Sequence, residues 1–408
     1  MTIRTDTAVT GLGLVSPAGV GVRRNWSEVC EARGTAAAVD PELEGMPVPL
    51  ACRVPDFDAD ELLGGRRAHR LDRFVQFALV AAREAVADSG LDPATWDGAR
   101  VGVVLGNAGA GIHTYEAQHR VMLDEKPQRV TPLLLAMYLP NMLAGQVAIE
   151  FGATGPNLVV ATACASGSTA IATACDLLAL GRCDVVIAGG SEAMVTPLAM
   201  SGFANMGALS RRIEDPGGAS RPFDADRDGF VAGEGAGLLV LERAADARAR
   251  GARVRARIVG HGSTADAHHI TAPHPDGRGL EQALRLALAD AGASARDVSY
   301  VNAHGTSTPL NDLVEARTLG RVLPGGPLVS STKGVTGHLL GAAGAIEAAY
   351  TVLAIEHGLV PPTANLRTQD PEIDINVVGT PTPHDMDLAL SNSMGFGGQN
   401  AVLALSRA

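Results

Sequence analysis

The order of apolar runs in the first 250 residues of this 408-residue chain recurs in the remainder. Thr7-Ala-Val-Thr-Gly-Leu-Gly-Leu-Val, which ends in a turn at Pro17 and Gly19, is answered by Val254-Arg-Ala-Arg-Ile-Val-Gly-His-Gly. Val101-Gly-Val-Val-Leu-Gly is answered by Val298-Ser-Tyr-Val-Asn-Ala-His-Gly, and Leu238-Leu-Val-Leu by Ala401-Val-Leu-Ala-Leu. The run Asn157-Leu-Val-Val-Ala-Thr-Ala-Cys164, which passes into small residues and a helical pattern, is answered by Leu328-Val-Ser-Ser-Thr-Lys333 and the helical residues 339–357. Strand-like runs alternating with helical ones predict an α/β fold. One plan carried twice predicts two related halves, residues 1–250 and 251–408, with a site at their junction drawing groups from both.

Cys164 falls on a strand-to-helix turn. The first N–H groups of a helix lack internal partners and its dipole favours an anion, so a thiol there is expected to lose its proton more easily than in free solution. Ala163, Ala165, Ser166 and Gly167 leave room for a close approach to the backbone. The competing reading is a buried structural cysteine. The second half supplies His304, Lys333 and His338 at matching strand ends, each flanked by glycine and small hydroxyl residues. A single such histidine is commonly a packing residue. Two of them, with one of the only two lysines in the chain, opposite a helix-capping cysteine, point to a nucleophilic site.

Composition excludes several alternatives. Aromatics are 3% of residues, which argues against a base-stacking nucleic-acid surface, and at net charge −11 an acidic partner needs a local basic patch. Cys30, Cys52, Cys164, Cys175 and Cys183 show no CxxC pairing and no metal spacing, so a reduced, cytoplasmic protein without bound metal is expected. The chain shows no signal-like start and no membrane-length apolar run. Gly106-Asn-Ala-Gly-Ala-Gly fails the dinucleotide and P-loop spacings, and the acidic loop over 216–237 fails that of a calcium loop. The pattern predicts helices over 25–33, 66–88 and 131–150, with a Pro-, Asp- and Gly-rich surface excursion over 34–65.

Thr-Ala-Cys164-Ala-Ser-Gly, Asn-Ala-His304-Gly-Thr-Ser-Thr, Ser-Thr-Lys333-Gly-Val-Thr-Gly-His338 and Asn-Ser-Met-Gly-Phe396-Gly-Gly-Gln-Asn together resemble the β-ketoacyl-acyl-carrier-protein synthases, in particular the elongating Cys-His-His class of type II fatty-acid and polyketide systems. The resemblance covers essentially the whole chain. It implies a thiolase-type fold in five α-β-α-β-α layers, usually as a dimer, either with itself or with a chain-length-factor-like subunit. It implies Cys164 as nucleophile, His304 and His338 as donors to the thioester oxygen, Lys333 as the orienting charge with Glu347 its partner, and the N–H groups of Cys164 and Phe396 as oxyanion hole. Thr306 and Thr308 match positions that bind the phosphopantetheine arm of an acyl carrier protein, and no other cofactor is implied. Turn hydroxyls with no such role remain the other reading of the two threonines. Asp266 and His269 match a mobile entrance loop. Arg66, Arg67, Arg70 and Arg73 form a basic stretch suited to the carrier, or simply a solvated one.

Three departures bear on the substrate. Gly109 stands where a bulky aliphatic commonly closes the acyl tunnel, Met394 where an aromatic gates it, and Gln399 for a commoner Thr or His. They favour decarboxylative condensation with malonyl-carrier in a polyketide or polyene pathway over housekeeping fatty-acid elongation. A non-catalytic chain-length factor characteristically lacks the nucleophile, and a biosynthetic thiolase is expected to carry a second cysteine in the C-terminal glycine loop, where 395–400 has none.

Overall fold

The computed structural model describes residues 6–34 and 39–408, so residues 35–38 of the expected excursion lie outside the described residues. The first half places β1 (Thr7–Ser16), β2 (Val101–Gly106), β3 (Asn157–Val160), β4 (Val185–Glu192) and β5 (Gly235–Arg243) in the order β1-β5-β4-β2-β3. The second places β6 (Ala256–Ala265), β7 (Val298–Asn302), β8 (Leu328–Ser330), β9 (Asn376–Val377), β10 (Leu388–Gly395) and β11 (Gln399–Ser406) in the order β6-β11-β10-β7-β8-β9. Both halves run antiparallel over their first two pairings and parallel beyond. Three residue pairs between β1 and β6 join the two ladders.

The outer layers carry α1 (Arg73–Ser89) on the first half and α3 (Arg278–Ala291) with α4 (Pro309–Val322) on the second. Glycine sets how close α1 and α3 come. A Cβ at Gly11 or Gly13 would strike the carbonyls of Ala85 and Ala81 in α1, and one at Gly260 or Gly262 those of Ala287 and Ala283 in α3. The Gly-x-Gly spacing thus serves one packing in both halves. Between the sheets lie α2 (Ser166–Ala179) and α5 (Ala343–His357), whose residues 343–355 are all buried in one core with β1, β5 and β11. The result is the five-layer α-β-α-β-α arrangement.

Local departures from the expected pattern have identifiable causes. The helix expected over 25–33 is Val22–Cys30. That over 66–88 breaks into Gly65–Ala68 and α1, because Asp72 caps a new start with its carboxylate on Phe74 N–H. That over 131–150 divides into Leu134–Tyr138 and Met142–Phe151 around Pro140, which has no N–H to continue a helix. The excursion over 34–65 is only partly superficial: Leu43, Val48 and Leu50 are buried against Phe230 and Val231, and Ala51–Cys52 pairs with Ala232–Gly233. No helix among the described residues is long and apolar enough to cross a membrane.

Candidate active site

Cys164 sits in a one-turn 3-10 element, Ala163–Ala165, between β3 and α2. Ala163 holds φ at +50°, a left-handed conformation of a kind that costs a non-glycine residue about 1–3 kcal/mol. Ser166 fastens the turn, its hydroxyl accepting Thr162 N–H at 2.9 Å and donating to Ala163 O at 2.6 Å. The end of β10 passes beside it. A Cβ at Gly395 would lie 2.6 Å from Thr162 O, so only glycine lets the chain bring Phe396 N–H onto the thiol.

The thiol is not the easily ionised group expected at a helix start. Burial pushes it up to about 11, and the Lys333 charge and Phe396 N–H offset only part of that. Two of the turn's donors are engaged elsewhere: Ala165 N–H bonds to Thr162 O at 3.1 Å, and Ser166 N–H bonds to Ala163 O. Cys164 is therefore a neutral, 7% exposed thiol in the free protein.

His304 follows β7 and His338 follows the short helix Lys333–Thr336. Their rings meet edge to face with centroids 5.2 Å apart, and Phe230 packs on His338 in the same way at 5.4 Å. Lys333 is buried behind them. Its ammonium donates to His304 O at 2.5 Å, lies 3.4 Å from His304 Nδ1, and is paired with Glu347. A cation beside Nδ1 leaves the imidazole proton on Nε2, so neutral His304 is a donor. Burial, the Lys333 charge and His338 hold His304 well below the ordinary histidine range, and burial with Lys333 does the same to His338.

A cavity of about 500 Å³ joins Cys164, His304 and His338. Thr306, Thr308, Met394, Phe396 and Asp266 also line it, while exposed Met206 and Leu310 mark its mouth. The two threonine hydroxyls bond to each other at 2.9 Å. Asp266 accepts from His274 N–H and Asn400 Nδ2 at 2.9 and 2.8 Å, and so braces the entrance. His269 stands outside the lining, its Nδ1 accepting the N–H groups of Thr271 and Ala272 that shape the rim.

Two expected features are placed differently. Gly109 does not open the channel, because Met194 occupies the space its missing side chain leaves: a Cβ at 109 would lie 2.5 Å from Met194 Sδ and closer still to Cγ. The basic stretch does not act as one patch. Arg67 is paired with Glu150, and Arg73 grips buried Glu234 through two bonds of 2.6 and 2.9 Å. Arg66 and Arg70 remain exposed.

Two buried carboxyls that brace the site's backbone escaped the sequence reading. Glu315 accepts the N–H groups of His304 and Gly305, both at 2.8 Å. Glu192 accepts those of Ala108 at 2.8 Å, Gly109 at 3.3 Å and Gly341 at 3.2 Å, tying the two halves together beside the cavity. Burial pushes both up to about 7. An acidic residue closing the apolar run of β4, and an acidic pair three apart on the buried side of α4, were the available signals.

Residues 4–247 match the family described as Beta-ketoacyl synthase, N-terminal domain, and residues 255–367 its C-terminal domain. The chain is 46% identical over 407 residues to the 3-oxoacyl-[acyl-carrier-protein] synthase 2 of Synechocystis sp., covering 98% of this chain and 97% of that one. It is 44% identical over 405 residues to the synthase of the same name from Staphylococcus aureus, with the same coverage. Among solved structures it is similar to the ishigamide ketosynthase/chain length factor, with TM-score 0.92, 34% identity and coverage of 99% and 100%. It is equally similar to a chain in the structure described as a type II PKS acyl-carrier protein in complex with its ketosynthase bound to the hexaketide, at TM-score 0.92, 33% identity and the same coverage. With both family domains matched in order and near half of all residues shared along the full length, the chain belongs to the beta-ketoacyl synthase family.

Proposed function

We propose that this protein is an elongating ketosynthase that condenses an acyl group held on Cys164 with malonyl-acyl carrier protein to give 3-oxoacyl-acyl carrier protein and CO2. The observation that carries the reading is the convergence of a buried thiol, the Phe396 N–H and two neutral histidines on one cavity.

In the first half-reaction Cys164 Sγ attacks the thioester carbon of an acyl carrier. The oxyanion is held by the N–H groups of Cys164 and Phe396, the C–S bond to phosphopantetheine breaks, and the thiol proton leaves on the pantetheine sulfur. Because the thiol rests neutral, its proton is lost only as the acyl group arrives. In the second, the malonyl C–C bond to its carboxylate breaks, CO2 departs, and the electron pair forms an enolate whose oxygen accepts from His304 and His338. The enolate carbon attacks the acyl-cysteine, the Cys164 C–S bond breaks, and the thiolate regains a proton. Neutral donors are suited to this role, since charge develops only in the transition state. Lys333, held by Glu347, fixes the His304 tautomer. The pantetheine arm passes Thr306 and Thr308, Arg66 and Arg70 face the acidic carrier, and no metal or organic cofactor of the chain's own is called for.

Polyketide or polyene extension is the pathway that Met394 and Gln399 favour. Fatty-acid elongation is the second reading, favoured by the space beside Gly109 being filled and by the greater identity to the synthases named 3-oxoacyl-[acyl-carrier-protein] synthase 2. Intact-mass analysis of the chain after incubation with saturated and polyunsaturated acyl carriers tests both. An adduct absent in Cys164→Ala is expected, and the preferred acyl group separates the pathways. An equal adduct on Cys164→Ala would overturn the assignment.

A further inference from the structure

The apolar part of the cavity beside Cys164 is bounded by Ala108, Ala163, Phe203, Leu340 and Met194. Its backbone is held in place. The Glu192 carboxylate bonds the N–H groups of Ala108, Gly109 and Gly341, so the glycine turn cannot withdraw from the cavity without stranding a buried carboxyl. The turn having no side chain at 109, the volume there is decided by the one flexible group that reaches it. That group is Met194, two residues past Glu192, half-buried, with its Cγ and Sδ over Gly109.

We propose that Met194 closes the acyl channel of this enzyme and sets the longest acyl group Cys164 accepts. The inference rests on the ketosynthase reading and adds a specificity residue that the chain's glycine at 109 displaces from its expected place. Its chemistry differs from that of a branched aliphatic. Methionine has an unbranched side chain with several torsions and a polarizable thioether, so it yields by changing rotamer, whereas a β-branched residue is stiff at χ1. The channel therefore ends in a compliant stop suited to unbranched or conjugated chains of more than one length.

The test is the rate of Cys164 acylation by a series of straight-chain acyl carriers, read by intact mass, for wild type, Met194→Ala, Met194→Ile, Gly109→Ile and the double variant Gly109→Ile/Met194→Ala. A methylene that gains or loses its place in an apolar pocket changes the rate by about 10-fold or more. Met194→Ala is expected to raise the rate of the longest acyl group relative to the shortest by about that factor, and Met194→Ile to lower it. Gly109→Ile collides with Met194 and is expected to shorten the series sharply, and the double variant to recover it. A length profile unchanged in both Met194 variants, or a Gly109→Ile defect equally large with and without Met194, overturns the proposal. Failure of the wild-type chain to form an adduct with any donor would instead count against the ketosynthase reading. If Met194→Ala loses cooperative melting, the contrast between Met194→Ile and the volume-conserving Met194→Leu decides, with equal profiles overturning the proposal.

Discussion

Lys333 is one of two lysines in the chain and the only buried one, at 1% exposure, and its environment explains why. Glu347 is buried beside it and paired with its ammonium, so Lys333→Ala strands a carboxylate and is expected to cost about 3–5 kcal/mol in urea denaturation, together with condensation activity. The two histidines add a pH signature. Their proton affinities in the folded chain lie well below the ordinary value, so as pH falls under about 6.5 the unfolded chain binds protons that the folded chain refuses. Stability should therefore fall with pH in that window, and His338→Gln should flatten the slope in denaturation curves taken between about pH 5 and 7. The same property keeps both donors neutral during turnover. No acid limb near the ordinary histidine pKa is expected in kcat/KM, and replacing either histidine by Ala should cost about 100- to 1000-fold in condensation while Cys164 acylation persists.

At the scale of elements, α2 follows directly on the nucleophile's turn and carries Asp176 near its end, where His261 Nε2 of β6 lies 3.2 Å away. Burial lowers the affinity of His261 for a proton, but Asp176 and Asp290 raise it further, so the net shift is upward. The sign is opposite to that at the active site: this stability is fully present below about pH 6.5 and is lost as pH rises through the folded value. His261→Gln should remove up to about 1 kcal/mol at low pH and little at high pH, read by denaturation. The elements themselves were largely legible. Fully buried runs such as β1 read as strands from composition, and the Gly-x-Gly pairs of β1 and β6 recur because each receives a helix at close range. That β10 is the counterpart of β4 in the repeat was not legible, because β4 ends in Glu192 and β10 in Met394-Gly395. At the site, each catalytic side chain carried a local signal of small neighbours at a strand end. What could not be read were partners remote in sequence: that Met194 fills the space at Gly109, and that Arg73 answers Glu234, 161 positions away, rather than solvent. A missing side chain announces a space but not its occupant, and an arginine announces a charge but not its counter-ion.

The whole molecule leaves one structural question that bears on catalysis, which is what covers β3. This strand is at the edge of the sheet, pairing only with β2 among the described residues, and Leu158 is 43% exposed on it. An open edge with an apolar side chain is a template for strand pairing with another chain. It also runs directly into the Cys164 turn, so a partner seated there would buttress the nucleophile's backbone. The edge can pair with itself in a second copy of the chain, or with the equivalent edge of a chain-length-factor-like subunit. We expect sedimentation velocity to show a dimer, and Leu158→Lys, which places a charge on the pairing edge, to shift it to monomer. Acylation of Cys164 is expected to fall with the dimer, since the strained Ala163 turn lies at the end of that strand. A wild-type chain that is monomeric alone but dimeric with a chain-length-factor-like subunit would assign that edge to the heterodimer. A monomer that acylates Cys164 at the full rate would show that one chain supports the site unaided, and would remove the edge strand from the account of catalysis.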